Sequence, residues 1–340
     1  MKSDALQWLL ETDNPSVRML ALVDVLNRRK SDSDVKLAKE AIRSYEPVKK
    51  LLRAQRGGGY WPPDSTCYTP KFTATVWALN LVGEMGVGRE PWVESAVERF
   101  LHQHQMENGA FCCNRIGGRG KAVEEVCLTG HLARTLLVLG YEDDPRLKKA
   151  IRWLPEQQFD DGGWNCDFPI YNPTHSSFMS TVHPLWAYSE IPRQMWSRSM
   201  KRSAEKGAEF LLKHRVYKSH RDWRPVELRG LDRAFAGTIV TQFHFPMYYY
   251  FDALHGLRVL TKLGYEDDER ISDAVHLVLS KKTPDGRWLL DGDWVRERSD
   301  ETRKNLVNVE ELARPSKWVT LNCYRVLAKT GDLEIPQAAE

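Results

Sequence analysis

The sequence has almost no excess charge: 49 Lys and Arg stand against 46 Asp and Glu, a formal net charge of +3 over 340 residues. So even a balance removes any whole-protein reason to expect nucleic acid or an anionic membrane as partner. Long apolar runs are missing too, so no transmembrane segment is expected, and MKSDALQWLL lacks the basic-then-apolar order of a secretory signal. A cytoplasmic, soluble protein is the expectation. Cysteine is scarce and irregularly spaced, six residues in all, which excludes the disulfide framework of a small secreted domain and leaves free thiols or metal ligands. Low-complexity linkers are absent, and 42% hydrophobic with 28% charged residues is the composition of a globular chain.

What the sequence does contain is a recurring unit. A short amphipathic helix runs into a polar turn that ends on an aromatic residue: RAQRGGGYW, HQHQMENGAF, PEQQFDDGGW, KSHRDW and KKTPDGRW. The aromatic anchors Trp61, Phe111, Trp164, Trp223 and Trp288 are separated by 50, 53, 59 and 65 residues, a spacing that marks a repeat architecture of variable unit length. Before the turns, apolar residues fall on one helical stripe, as in Val93, Ala96, Val97, Phe100 and Leu101, or Ile271, Ala274, Val275, Val278 and Leu279. After the turns come segments apolar around most of their circumference: TATVWALNLV, CLTGHLARTLLVL, FMSTVHPLWAY, YYYFDALHGLRVL and KWVTLNCYRVL. Helices of that kind are packed on two sides. NPSVRMLALVDVL adds a sixth inner segment, with Pro15 suited to a first helical turn.

Two connections, LGYEDDPRL at 139–147 and LGYEDDERI at 263–271, are nearly identical. Gly140 and Gly264 can close one helix in the left-handed region, and the acidic residues suit the start of the next. The reading is a single all-α domain over 1–340, repeat-bearing from about 15 to 330: an (α/α)6 toroid barrel of alternating inner and outer helices. Turns and inner-helix N-termini should share one rim, around an apolar central cavity.

The sequence resembles the α/α toroid superfamily of squalene-hopene-like terpenoid cyclases and protein prenyltransferase β subunits, through turns such as Gln157-Gln158-Phe159-Asp160-Asp161-Gly162-Gly163-Trp164. The resemblance implies an enzyme acting on an isoprenoid or another apolar small molecule. The Asp-x-Asp-Asp acid of class II cyclases is absent, and so is the Asp-Asp-x-x-Asp metal motif of class I synthases. Tyr141-Glu142-Asp143-Asp144 and Tyr265-Glu266-Asp267-Asp268 read as helix-capping turns. Asp291-Gly292-Asp293-Trp294 lacks the final acid.

At the expected rim, Cys113, Cys127, Cys166 and His175 offer the ligand types that zinc prefers, with inert buried thiols as the alternative. Prenyltransferases hold zinc on an Asp-x-Cys pair and a later histidine, for which Glu125-Val126-Cys127 and His175 are the nearest match. Glu124, Cys127 and His131 fall on one helical stripe, with Glu124 a candidate proton donor. A second cluster runs from His244 through Tyr248, Tyr249 and Tyr250 to Asp252 and His255. Its tyrosines and Trp294 could hold a prenyl chain or face a carbocation, and Asp252 and His255 could exchange protons. Core packing is the competing account of these residues. Basic residues Arg221, Arg224, Arg229, Arg296, Arg298, Arg303 and Lys304 lie in long insertions. The rival functional reading is a noncatalytic binding or scaffold protein whose loops 214–245 and 289–314 meet a protein partner.

Overall fold

In a computed structural model of the protein, residues 4–168, 171–228, 239–248, 250–294 and 305–333 are described. Thirteen α-helices and no strands occur among them: α1 (Asp4–Leu9), α2 (Pro15–Asp24), α3 (Ser33–Ala41), α4 (Glu46–Ala54), α5 (Thr75–Glu84), α6 (Pro91–His104), α7 (Val126–Val138), α8 (Pro145–Trp153), α9 (Phe178–Ser189), α10 (Arg198–Lys213), α11 (Ala253–Lys262), α12 (Ser272–Ser280) and α13 (Lys317–Thr330). Their starts follow local chemistry. The Asn14 side chain accepts from Val17 N at 3.1 Å with Pro15 opening α2, and Ser316 Oγ accepts from Val319 N at 2.9 Å to open α13. Asp144 and Asp268 cap the segments that follow the two repeated connections, accepting from Arg146 N at 2.8 Å and Arg270 N at 3.0 Å. Gly140 and Gly264 take the left-handed conformation, with φ of 91° and 83°.

The six apolar segments form an inner ring. α5 packs on α7, α7 on α9, α9 on α11, α11 on α13, and α13 on α2. The ring closes between α2 and α5, where the Met19 methyl group fills the space beside Gly86 that a Cβ would need. Outer helices back each inner one: α1 on α13, α3 on α2, α4 and α6 on α5, α8 on α7, α10 on α9, and α12 on α11. The fold is an all-α toroid of alternating inner and outer helices.

Each turn works as a joint between an outer and an inner helix. The indole N–H groups of Trp61, Trp164 and Trp288 donate to the carbonyls of Leu51, Leu154 and Val278, each ten residues earlier on an outer segment, at 2.9, 2.9 and 2.7 Å. The backbone N–H of each anchor then donates to a threonine hydroxyl on the following inner helix. Thr75 serves Trp61 at 3.1 Å, Thr129 serves Phe111 at 2.8 Å, Thr181 serves Trp164 at 3.0 Å and Thr320 serves Trp288 at 3.0 Å. These donors are buried, so each lost partner would leave an uncompensated polar group. The turn glutamines reach sideways to the next outer helix, Gln105 to Arg146 O at 2.8 Å and Gln158 to Ser203 O at 2.8 Å. Gly162 permits that approach: a Cβ there would sit 2.6 Å from Lys206 O.

Trp223 departs from the expected repeat. Its side chain is 46% exposed and lies under the Arg215 guanidinium at 4.4 Å, whereas Trp61, Trp164 and Trp288 are fully buried. KSHRDW lacks the glutamine and glycines that seat the other anchors, so this aromatic residue stays on the surface. Ahead of α11, Phe243 O accepts from Asp291 N, in the loop after α12, at 3.0 Å.

At the rim opposite the turns, the C-terminal halves of the inner helices are clasped by ion pairs. Arg134 of α7 meets Glu84 of α5, and lies 3.3 Å from Glu190 at the end of α9. Lys262 of α11 also pairs with Glu190, Arg258 lies 3.9 Å from Glu84 across the ring, and Arg325 of α13 pairs with Asp24 of α2. Burial alone would raise the Glu190 carboxyl, but Lys262 and Arg134 outweigh it and hold it down to about 2. Burial brings the Arg258 guanidinium down to about 10.

Candidate functional site

The expected open apolar lumen is largely filled. Three imidazoles and one indole occupy its middle: His131 from α7, His183 and Trp186 from α9, and His255 from α11. The His131 and His183 ring centroids are 5.0 Å apart, and Trp186 meets His255 edge-on at 4.4 Å. Arg134 lies over the Trp186 ring at 4.1 Å. Burial, together with the neighbouring cations, pushes both His131 and His255 well below the usual histidine range and keeps them neutral. Among the described residues, Nδ1 of His131 and both ring nitrogens of His255 have no hydrogen-bond partner.

Above this floor, on the turn-bearing side, lies a cavity of about 90 Å³. Val76 and Trp77 line it from the first turn of α5, Cys127, Leu128 and His131 from α7, and Tyr68, Glu125 and Cys166 from the adjoining turns. Cys127 and His131 are four apart on one helix, which places both on the lumenal face. Glu125 is the N-cap residue of α7, extended at φ −129° and ψ 108°, and its carboxylate accepts the Cys113 N–H at 3.3 Å. Burial raises its carboxyl above the usual range against the opposing pull of the Cys113 hydrogen bonds. Among the described residues no Lys or Arg lines the cavity.

Glu125, which the sequence suggested only as half of a zinc motif, replaces Glu124 as the acid on this wall. α7 begins at Val126, so Glu124 lies before the helix and off the Cys127–His131 stripe. Its carboxylate accepts from Asn108 Nδ2 at 3.2 Å instead. The usable signal was the helix start, which a one-residue shift concealed.

Asp252 also takes a different role from the one expected. It caps α11, and its carboxylate accepts His244 N at 3.0 Å, the His244 ring at 3.1 Å and His255 N at 2.8 Å. The His255 ring takes no part in that cap, so the two side chains form no proton-exchange pair. The neighbouring tyrosines precede the helix and pack as an aromatic lid. Tyr248 donates to Asn305 Oδ1 at 2.9 Å, and its ring lies 5.3 Å from both Phe72 and Trp77. Trp294 stacks between Tyr250 at 4.4 Å and His244 at 3.8 Å. Tyr248, Tyr250 and Trp294 thus back the cavity wall through Trp77 without lining it. Tyr249 lies outside the described residues, as do Arg229, Arg296, Arg298, Arg303 and Lys304, while Arg221 and Arg224 are exposed.

The proposed zinc ligands are brought only partly together. Cys127 of α7 and Cys166 of the third turn both line the cavity. Cys113 engages Cys67 and Glu125, and His175 is exposed on the loop before α9. Among the described residues no three His, Cys, Asp or Glu side chains are grouped so as to hold a metal ion. All six cysteines are free thiols. Cys67, absent from the sequence-based site, is the unusual one. Burial pushes its thiol up, but hydrogen bonds with Cys113 and His104 outweigh burial and bring it down to about 6.

Ring, joints and rim cavity place the molecule in the class of α/α toroids. No family model matches the chain, and no curated protein matches it. Similar solved structures include the type II terpene cyclase MstE from Scytonema, 14% identical with a TM-score of 0.46 over 94% of this chain and 88% of that one. The ent-copalyl diphosphate synthase from Streptomyces platensis is 12% identical with a TM-score of 0.44, over 95% of this chain and 51% of that one. A polysaccharide lyase, BACCELL_00875, is 10% identical with a TM-score of 0.48, over 96% of this chain and 89% of that one. The fold assignment rests on the helix contacts described above. Among the described residues no helix is long and apolar enough to cross a membrane.

Proposed function

We propose that the protein is an enzyme acting on an isoprenoid or a comparably apolar small molecule at the rim cavity, with Glu125 as its proton-transfer group. The observation that carries this reading is a half-buried carboxyl, raised above its ordinary range, on a wall otherwise built largely from Val76, Trp77, Leu128 and Tyr68. The Tyr68 and Trp77 rings, 5.0 Å apart, supply π-faces beside the position where positive charge on carbon would develop. Since no cationic side chain among the described residues lines the cavity, the part of the ligand held there is hydrocarbon or a neutral polar group, not a diphosphate. A cavity of about 90 Å³ holds only a short stretch of such a molecule.

The small cavity, whose aromatic surroundings pack on one another, favours a second reading, a noncatalytic binding protein on the same toroid. Titration of tryptophan fluorescence with dimethylallyl alcohol, geraniol and farnesol, each beside its diphosphate, tests the ligand class. Quenching by the alcohols and not by the diphosphates is expected. Product formation that Glu125→Gln abolishes while quenching persists supports the enzyme. Binding without turnover in the wild-type protein supports the second reading, and no response to any alcohol removes both.

A further inference from the structure

Cys67 and Cys113 sit in different repeat units yet face each other. Thr66 and Asn114 are antiparallel partners, and the Cys67 N–H donates to Cys113 O at 2.9 Å, so the two cysteines are opposed one step along the same short ladder. Opposed residues in such a pair point to the same side with Cα atoms about 5.5 Å apart, inside the ~4.4–6.8 Å range that a disulfide spans. Sγ of Cys67 donates to the Cys113 carbonyl at 3.4 Å. His104 completes the arrangement. Its Nδ1 lies 3.2 Å from Cys112 O, and a carbonyl can only accept, so Nδ1 carries the proton and the other ring nitrogen is left as an acceptor. Sγ of Cys67 lies 3.7 Å from the same Cys112 carbonyl, which places the thiol beside this ring. Beside His104, a pocket of about 10 Å³ lined by Thr66, Thr75 and Phe100 has room for a water-sized molecule.

We propose that Cys67 and Cys113 are a peroxide-reactive dithiol, with Cys67 as the attacking sulfur, His104 as its base and Cys113 as the resolving thiol. Cys67 gives its proton to His104 and attacks one peroxide oxygen. The O–O bond breaks, leaving Cys67 as a sulfenic acid, and the departing hydroxide takes the proton from His104 to become water. The Cys113 sulfur then attacks the Cys67 sulfur, the S–S bond forms, and the S–O bond breaks with loss of a second water that carries the Cys113 proton. In sum, two thiols are oxidised to one disulfide and one peroxide is reduced to two waters. The bond ties the loop before α5 to the second turn. It also removes the Cys113 thiol from its hydrogen bond with Glu125, so the redox state of this pair reaches the acid on the cavity wall.

The test reads thiols and needs no substrate. The full-length protein is treated with a small excess of hydrogen peroxide, alkylated, digested and analysed by mass spectrometry. The expected result is a peptide linked through Cys67 and Cys113, loss of two of the six alkylatable thiols, and recovery of both on addition of a thiol reductant. In Cys113→Ser, dimedone should trap Cys67 as its sulfenic acid, and His104→Gln should slow that trapping about tenfold or more. A first linkage between Cys127 and Cys166, random oxidation of all thiols, or dimedone labelling of Cys113→Ser elsewhere than Cys67 would each overturn the proposal. Unchanged thiol content after treatment would do the same.

Discussion

Truncating Trp164 and Trp223 to alanine should separate two tryptophans that look equivalent in the sequence. Trp164 is fully buried, its indole N–H holds Leu154 O at 2.9 Å, and its ring edge meets Tyr188 at 6.4 Å. Removing it opens a cavity and leaves a buried carbonyl without its donor, a loss of about 4 kcal/mol by the measured range for large aromatic truncations. Trp223 is 46% exposed and contacts Arg215 by a cation–π arrangement at 4.4 Å, which is worth about 0.5–1 kcal/mol at such a site. Unfolding entropy scales as about 2.1 cal/mol/K per residue, so this chain gains roughly 0.7 kcal/mol/K, and Trp164→Ala should lower Tm by about 6 °C. Trp223→Ala should move it by about 1 °C. Differential scanning calorimetry, with urea unfolding followed by circular dichroism, reads both. Losses that agree within about 1 kcal/mol would refute the claim that burial and the two-sided joint, not the aromatic residue itself, define an anchor.

Other consequences follow from the same contacts. Arg134→Ala leaves Glu84 and the Glu190 side of the clasp short of a buried cation and should cost about 3 kcal/mol or more, whereas exposed Arg53→Ala should cost under about 0.5 kcal/mol in the same urea titration. Glu190 is held down to about 2 from its ordinary 4.5, so its contribution is complete above 4.5 and is lost as pH falls towards 2. That shift amounts to roughly 3 kcal/mol, and the stability gap between wild type and Glu190→Gln should close across this interval, while a gap that stays constant would be contrary to the pairing. Tyr248→Phe removes the donor to Asn305 and should loosen the lid, raising the rate of tryptophan quenching by farnesol with a stability loss of about 1 kcal/mol.

The repeat was legible because its chemistry is local. Glycine just before an aromatic residue makes the turns at Trp61, Phe111, Trp164 and Trp288, and Gly140, Asp144, Gly264 and Asp268 adopt the capping roles their types imply. Trp223 misled because an anchor also needs a carbonyl ten residues earlier and a threonine on the next inner helix, both of which lie outside the turn. The site was less legible. Glu124 and Glu125 differ only in which side of a helix start they occupy, and the tyrosines at 248 and 250 lie before α11, not on it. Cys127 and Cys166 both line the cavity, since both follow turns that the repeat sets side by side.

Helical period, turn chemistry and residue spacing determined by themselves that six inner and outer layers would alternate and that the sulfur-bearing corners would share one end. They could do so because those features act within a few residues along the chain. Only the tertiary structure decided what fills the hollow. His131, His183, Trp186 and His255 come from three different helices, and whether such side chains leave a channel or close it depends on how near the helices approach. Gly130 sets that distance by letting α7 lie directly against Pro184, where a Cβ would be 2.6 Å from the proline nitrogen, and so reduces the lumen to the small cavity at its rim.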